Sequence, residues 1–157
     1  MPRDWWNDIP FINRAGAVGG VMNKKSVSDR YLMHLWRQAV LAHWGYRDPI
    51  AGVRDPTGYS LECHHIVKRR GYILRWDYKN GIPLTAETHR FIHNHPAKAN
   101  RLLYEYVDYE YLAEWEGVRK NDYLLRNSMT DNEFRLKMKG YLKNVIDSYK
   151  EAKDEYY

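Results

Sequence analysis

Five of the seven histidines in this 157-residue chain lie between residues 61 and 96. They are His64, His65, His89, His93 and His95. Imidazole is both a common metal ligand and a base near neutral pH, so this density indicates a metal or acid–base site. The fold must therefore bring the two ends of this stretch together. The other two, His34 and His43, fall in an upstream predicted helix and are expected to be structural or surface residues.

The spacing of the histidines predicts how their rings point. His64 and His65 follow a short predicted strand at residues 59–63, and neighbours at a strand end face opposite sides. One ring can therefore bind a metal while the other takes a proton from water. His89 and His93 share one face of a predicted helix over residues 85–93. With His64 they make three ligands and leave positions for water and substrate, although some of these rings could instead only pack or cap.

A second predicted strand, residues 82–84, precedes that helix and is expected to pair antiparallel with the first. Asn80 comes just before it. Its side chain can hydrogen-bond the backbone across the hairpin and so fix the segment around His65. The alternative is that Asn80 and Gly81 form an ordinary Asn-Gly turn.

In this order, the paired histidines, the Asn-Gly and the final His-x-x-x-His resemble the HNH nuclease motif on a ββα-metal hairpin and helix. The resemblance covers residues 59–96 and is strongest to HNH proteins of phages and prophages. It implies a metal-dependent endonuclease that hydrolyses DNA phosphodiester bonds, nicking as a monomer. It also implies His65 as the general base and Asn80 as the hairpin-fixing residue. The metal ligands that it implies are His64, His89 and His93.

The chain departs from many such proteins in two ways. Its only cysteine is Cys63, which rules out a structural zinc held by four cysteines, so another part of the chain must brace the site. The first ligand position is His64, where Asp is frequent. Three neutral nitrogen ligands favour Zn²⁺, Ni²⁺, Co²⁺ or Mn²⁺. The resemblance implies Mg²⁺ or Mn²⁺, so the identity of the single divalent ion stays open.

The wider pattern predicts an α+β, mainly helical fold in which long flanking helices brace the ββα-metal core. Residues 26–44 show the apolar spacing of a half-buried helix, with Ser26 or Ser28 as its cap. This helix, with its tryptophans, is the expected brace. Two further helices are predicted at residues 97–118 and 130–153, the second starting with a capping box.

We expect one domain, divided into an N-terminal arm with the bracing helix (1–58), the motif (59–96) and C-terminal helices (97–157). Residues 1–96 carry 14 Lys and Arg against 8 Asp and Glu, whereas the remainder carries 11 against 12. The basic excess therefore accompanies the histidines, as expected of a phosphate-binding face. The residues expected to contact phosphate are Lys68, Arg69, Arg70, Arg90 and His95; the alternative for each is a solvated surface role.

These features predict DNA as the partner, with a homodimer or a phage protein as further possibilities. No apolar run approaches the ~18 residues of a membrane span, and the first residues lack a signal-peptide pattern. We therefore expect a cytoplasmic protein, inside the bacterial host if the chain is phage-derived. Two rival functions remain: a non-catalytic, metal-stabilised module that binds DNA or protein, and a phage assembly protein that works through its tyrosine-rich helices.

Overall fold

The computed structural model describes residues 26–68 and 71–154, which form a mainly helical fold with two small antiparallel sheets. The helices are α1 (Asp29–His43), α2 (Ala86–Asn94), α3 (Pro96–Tyr104), α4 (Tyr109–Glu116), α5 (Lys120–Arg126) and α6 (Asp131–Asp154). The strands are β1 (Arg47–Asp48), β2 (Val53–Arg54), β3 (Leu61–His65) and β4 (Gly81–Thr85). The expected α+β, mainly helical class is confirmed. Residues 1–25 of the expected N-terminal arm lie outside the described residues.

Helix α1 is the helix predicted at residues 26–44. It begins at Asp29 because the Ser28 hydroxyl accepts a hydrogen bond from the Tyr31 amide at 3.1 Å. It ends before Gly45, whose φ of +64° suits a residue without a side chain. Its inner face carries the predicted apolar stripe, which is buried at Leu32, Leu35, Trp36, Ala39 and Val40.

Helix α6 starts at the predicted capping box. The Thr130 amide donates to the Glu133 carboxylate at 3.0 Å, and the Glu133 amide donates to the Thr130 hydroxyl at 3.2 Å. The helix then packs along α1 and buries its apolar residues in the same hydrophobic cluster. Among the residues it buries there are Phe134, Met138, Tyr141 and Leu142.

The prediction of a single helix over residues 97–118 is wrong, because the helix is interrupted between α3 and α4. Asp108 ends the continuity: its carboxylate accepts a hydrogen bond from the Tyr111 amide at 3.0 Å and caps a new helix. The break lets the two segments fill different cores. Leu103 of α3 packs in a cluster with β4 and α2, whereas Leu112 of α4 packs in the cluster around α1 and α6. The pattern predicts one buried stripe along this single helix, formed by Leu102, Leu103, Tyr106, Tyr109, Leu112 and Ala113, of which only Leu103 and Leu112 are buried.

The two predicted strands pair antiparallel as β3 and β4, with His64 opposite Ile82 and His65 opposite Gly81. Strand β3 lies two residues later than predicted, so both adjacent histidines are inside it. Asp55 explains the shift, because its carboxylate accepts hydrogen bonds from the Ser60 amide (2.9 Å) and hydroxyl (2.6 Å) and keeps that segment in a turn. The small β1–β2 hairpin was not predicted.

Helix α1 braces this hairpin, as expected. The Trp44 indole donates to the Gly81 carbonyl at 3.0 Å, and the Arg37 guanidinium donates to the Gly58 and Leu61 carbonyls at 2.7 and 3.2 Å. The approach is so close that a Cβ on Gly81 would lie 2.4 Å from Cγ2 of Val40. None of the helices in the described part of the chain combines the length and apolar character needed to cross a membrane.

Candidate functional site

The predicted ligands His64, His89 and His93 converge at one point. Each offers a ring nitrogen, and the three nitrogens lie within 4.8 Å of one another. His64 Nδ1 is 3.2 Å from His89 Nε2, which is 3.0 Å from His93 Nε2. A tetrahedral ion with bonds of 2.0–2.1 Å would separate its ligand atoms by about 3.3 Å. The donor chemistry and the spacing therefore fit one divalent cation.

Local structure explains why these rings meet. β3 carries His64 on one face, and β4 leads without a loop into α2. Helix α2 is fixed at its start by Thr85, whose hydroxyl accepts a hydrogen bond from the Thr88 amide at 3.2 Å. His89 and His93 lie one turn apart on the side of α2 that faces β3. Ile92, on the neighbouring side, is buried against β4 and α3 and fixes the rotation of the helix.

The electrostatic setting favours metal binding by His64. Burial, together with the neighbouring rings of His89 and His93, lowers the pKa of His64 to about 4. The ring is therefore neutral at physiological pH, and a neutral ring keeps the lone pair that a metal ligand needs. His93 is exposed, so the group opens to solvent on one side.

Glu62 belongs to this group and was missed in the sequence. Its carboxylate makes a hydrogen bond with Nδ1 of His89. Because a carboxylate accepts, the neutral His89 ring carries its proton on Nδ1 and presents the lone pair of Nε2 to the other two histidines. Glu62 precedes His64 by two residues in β3, so the period of the strand puts both on the same face. That alternation was the available signal.

His65 faces the other side of β3, apart from the three-histidine group. Its Nε2 lies 3.0 Å from the carbonyl oxygen of Arg75. A carbonyl can only accept, so Nε2 carries the proton in the neutral ring and Nδ1 carries the lone pair. The ring lies flat on the indole of Trp36, with centroids 3.8 Å apart and planes 5° apart.

Asn80 is fully buried and links the two sides of the hairpin. Its Oδ1 accepts from the Val67 amide at 2.7 Å, while Nδ2 donates to the carbonyls of Val67 (2.9 Å) and Leu74 (3.0 Å). The expected cross-hairpin hydrogen bond is thus present, two residues beyond His65. The alternative of an ordinary Asn-Gly turn is wrong, because Gly81 has an extended backbone (φ −138°) and opens β4.

The residues expected to contact phosphate lie on different parts of the fold. Lys68 is exposed three residues after His65. Arg90 is exposed on α2 beside His89, turned about 100° from it around the helix. His95 is exposed at the junction of α2 and α3, where its ring contacts Phe91 with centroids 4.6 Å apart, and it is not part of the three-histidine group. Arg69 and Arg70 lie outside the described residues.

The chain was compared with protein-family models, with curated proteins and with solved structures, and none of the three comparisons gives a match.

Proposed function

We propose that this protein is a metal-dependent endonuclease of the HNH type that hydrolyses phosphodiester bonds in DNA. One observation carries the proposal: His64 and His65 of β3 face opposite sides, and His89 and His93 of α2 join His64 on its side. Three of them converge with the spacing of a metal site, and His65 is oriented on the opposite side by Arg75 and Trp36. Phosphodiester hydrolysis needs this division, because the base that activates water must not be consumed as a ligand.

In this proposal the lone pair on Nδ1 of His65 accepts the proton of the attacking water. The Arg75 carbonyl keeps the opposite nitrogen protonated and so fixes which nitrogen acts as the base. Asn80 holds the backbone on either side of the hairpin, which keeps the base at a constant position relative to the three ligands.

His64, His89 and His93 would hold one divalent ion, with Glu62 fixing the orientation of His89. When bound, such an ion would supply positive charge to the phosphate and to the leaving oxygen. Lys68, three residues after His65, and Arg90, next to His89 in the sequence, are exposed and would contact the phosphate backbone. Mg²⁺, Mn²⁺, Zn²⁺, Ni²⁺ and Co²⁺ all remain candidates.

The rival reading, a purely structural metal in a binding module, would be favoured by four histidines enclosing the ion. In the described part of the chain the group has three, and one of them, His93, is exposed. Three protein ligands with an open side are typical of catalytic metal sites. The geometry therefore favours hydrolysis over binding alone.

A supercoiled-plasmid assay across the five metals tests the proposal. We expect nicked circles that depend on added metal, because one site per chain cuts one strand at a time. His65→Ala should lower the rate by about 10²–10⁴-fold and leave metal binding intact. His34→Ala is the matched control, since that ring is exposed on α1 outside the site. Plasmid that stays intact with every metal, or full activity in His65→Ala, would refute the proposal.

A further inference from the structure

Trp36 of α1 stacks face to face on the imidazole of His65. The two rings are almost parallel, 5° apart in plane with centroids 3.8 Å apart, and the tryptophan is only 2% exposed. The stack fixes the plane of the imidazole. The hydrogen bond from Nε2 to the Arg75 carbonyl fixes its rotation within that plane. Together the two contacts leave the ring one orientation.

Two further contacts hold Trp36 in place. Its Nε1 donates to the backbone carbonyl of Asp77 at 2.9 Å, a buried hydrogen bond between residues 41 positions apart. Next to that nitrogen the indole packs against β4, where a Cβ on Gly81 would come within 2.7 Å of Cζ2. The platform under His65 therefore has little room to move.

Asp77 connects this platform to the C-terminal helices. It is fully buried, and its carboxylate accepts hydrogen bonds from the hydroxyls of Tyr111 on α4 and Tyr141 on α6, the second at 3.5 Å. The same carboxylate accepts from the Lys79 amide at 3.0 Å and so shapes the turn that ends at Asn80. Asp77 thus contacts α4, α6 and the hairpin through its carboxylate, and it accepts the hydrogen bond of Trp36 through its backbone carbonyl.

We propose that Trp36 is a positioning residue for His65, anchored through Asp77 by Tyr111. This inference rests on the nuclease proposal, because it assigns a role in that reaction. General bases act only within a narrow range of distance and angle, and a misplacement of about 1 Å can cost about 10²-fold in rate. The α1–Asp77 assembly would therefore hold the base in a site that lacks a four-cysteine zinc.

The test compares Trp36→Phe with Trp44→Phe. Both exchanges remove an indole on α1 or at its end that donates to a backbone carbonyl, at 2.9 and 3.0 Å respectively. Among the described residues, Trp36 stacks on His65, whereas Trp44 makes its ring contacts with His43 and Tyr106. We expect Trp36→Phe to lower kcat for plasmid nicking by about 10- to 100-fold. KM for DNA and the metal affinity should change less than threefold, because the buried indole faces neither.

Tyr111→Phe provides a second variant that leaves the stacked rings in place. We expect a smaller fall in kcat, about 3- to 10-fold, again without a change in KM. A third readout needs neither DNA nor metal: the ring protons of His65, assigned by their loss in His65→Ala, should resonate upfield because of the indole. That shift should decrease in Trp36→Phe, because the phenyl ring is smaller than the indole, and persist unchanged in Trp44→Phe.

Equal losses of kcat in Trp36→Phe and Trp44→Phe, or a wild-type kcat in Trp36→Phe, would overturn the positioning role while the wild type still nicks DNA. If Trp36→Phe does not fold, an unchanged kcat in Tyr111→Phe overturns it. Failure of the nuclease proposal looks different: the wild type and every variant leave the plasmid intact, and the positioning role is lost with it.

Discussion

Exchanging Glu62 for Gln should weaken metal binding although Glu62 is not one of the three ligands. Its carboxylate holds the proton-bearing Nδ1 of His89 and so directs the Nε2 lone pair into the group. Outer partners of this kind are worth about 10- to 100-fold in metal affinity. The side chain of His89 is 26% exposed and that of Glu62 is 52% exposed, so solvent screens their interaction. The lower end of this range of affinity loss therefore applies. We expect about a tenfold loss, equivalent to about 1.4 kcal/mol.

Isothermal titration of the metal-free protein with Zn²⁺ and with Ni²⁺ measures this loss. Glu87→Gln is the matched control, because Glu87 is an exposed carboxylate in the first turn of α2, the helix that carries His89. It should bind both metals as the wild type does. Wild-type affinity in Glu62→Gln, or an equal loss in Glu87→Gln, would refute the argument that this contact orients the ligand.

Three further predictions concern the surroundings of the site. Gly81→Ala should destabilise the fold by about 1–3 kcal/mol, since its Cβ would meet Val40 at 2.4 Å; an unchanged melting temperature would contradict this. Burial raises the pKa of the Cys63 thiol to about 11, so a thiol reagent at pH 8 should react far more slowly with the folded chain than in urea; equal rates would exclude the burial. Hydrogen bonds led by that from the Ser60 hydroxyl lower the pKa of Asp55 below its usual 3.8. Its stabilisation is therefore complete above about pH 4 and lost as the pH falls through the lower, folded-state pKa. Asp55→Ala should melt at a lower temperature than the wild type at pH 7, with the difference shrinking at pH 2; a constant difference would contradict this.

The N-terminal starts of α1 and α6 could be predicted from the sequence, because each start depends on capping residues within one turn. Ser28 caps the first helix, and the reciprocal bonds of Thr130 and Glu133 cap the second. The break before α4 could not be predicted in this way. Apolar residues continue through it, and Asp108 caps a new helix between Leu103 and Leu112, which pack in different cores.

The same distinction applies to the site. Strand alternation and helical spacing predicted that His64 would meet His89 and His93, because both periods are local and the strand and helix belong to one hairpin-helix unit. The contacts that orient the rings join residues distant in sequence. Trp36 reaches His65 from a separate helix, so no local pattern revealed that pair. Glu62 reaches His89 across 27 positions, and strand alternation indicates only that Glu62 shares a face with His64.

A crystal structure of the protein soaked with Zn²⁺, with the ion located by anomalous scattering, tests the division of roles most directly. We expect one ion about 2.0–2.1 Å from a nitrogen of each of His64, His89 and His93. Nδ1 of His65 should lie outside the coordination sphere with a water beside it. An ion bonded to His65, or no ion among the three rings, would contradict the account.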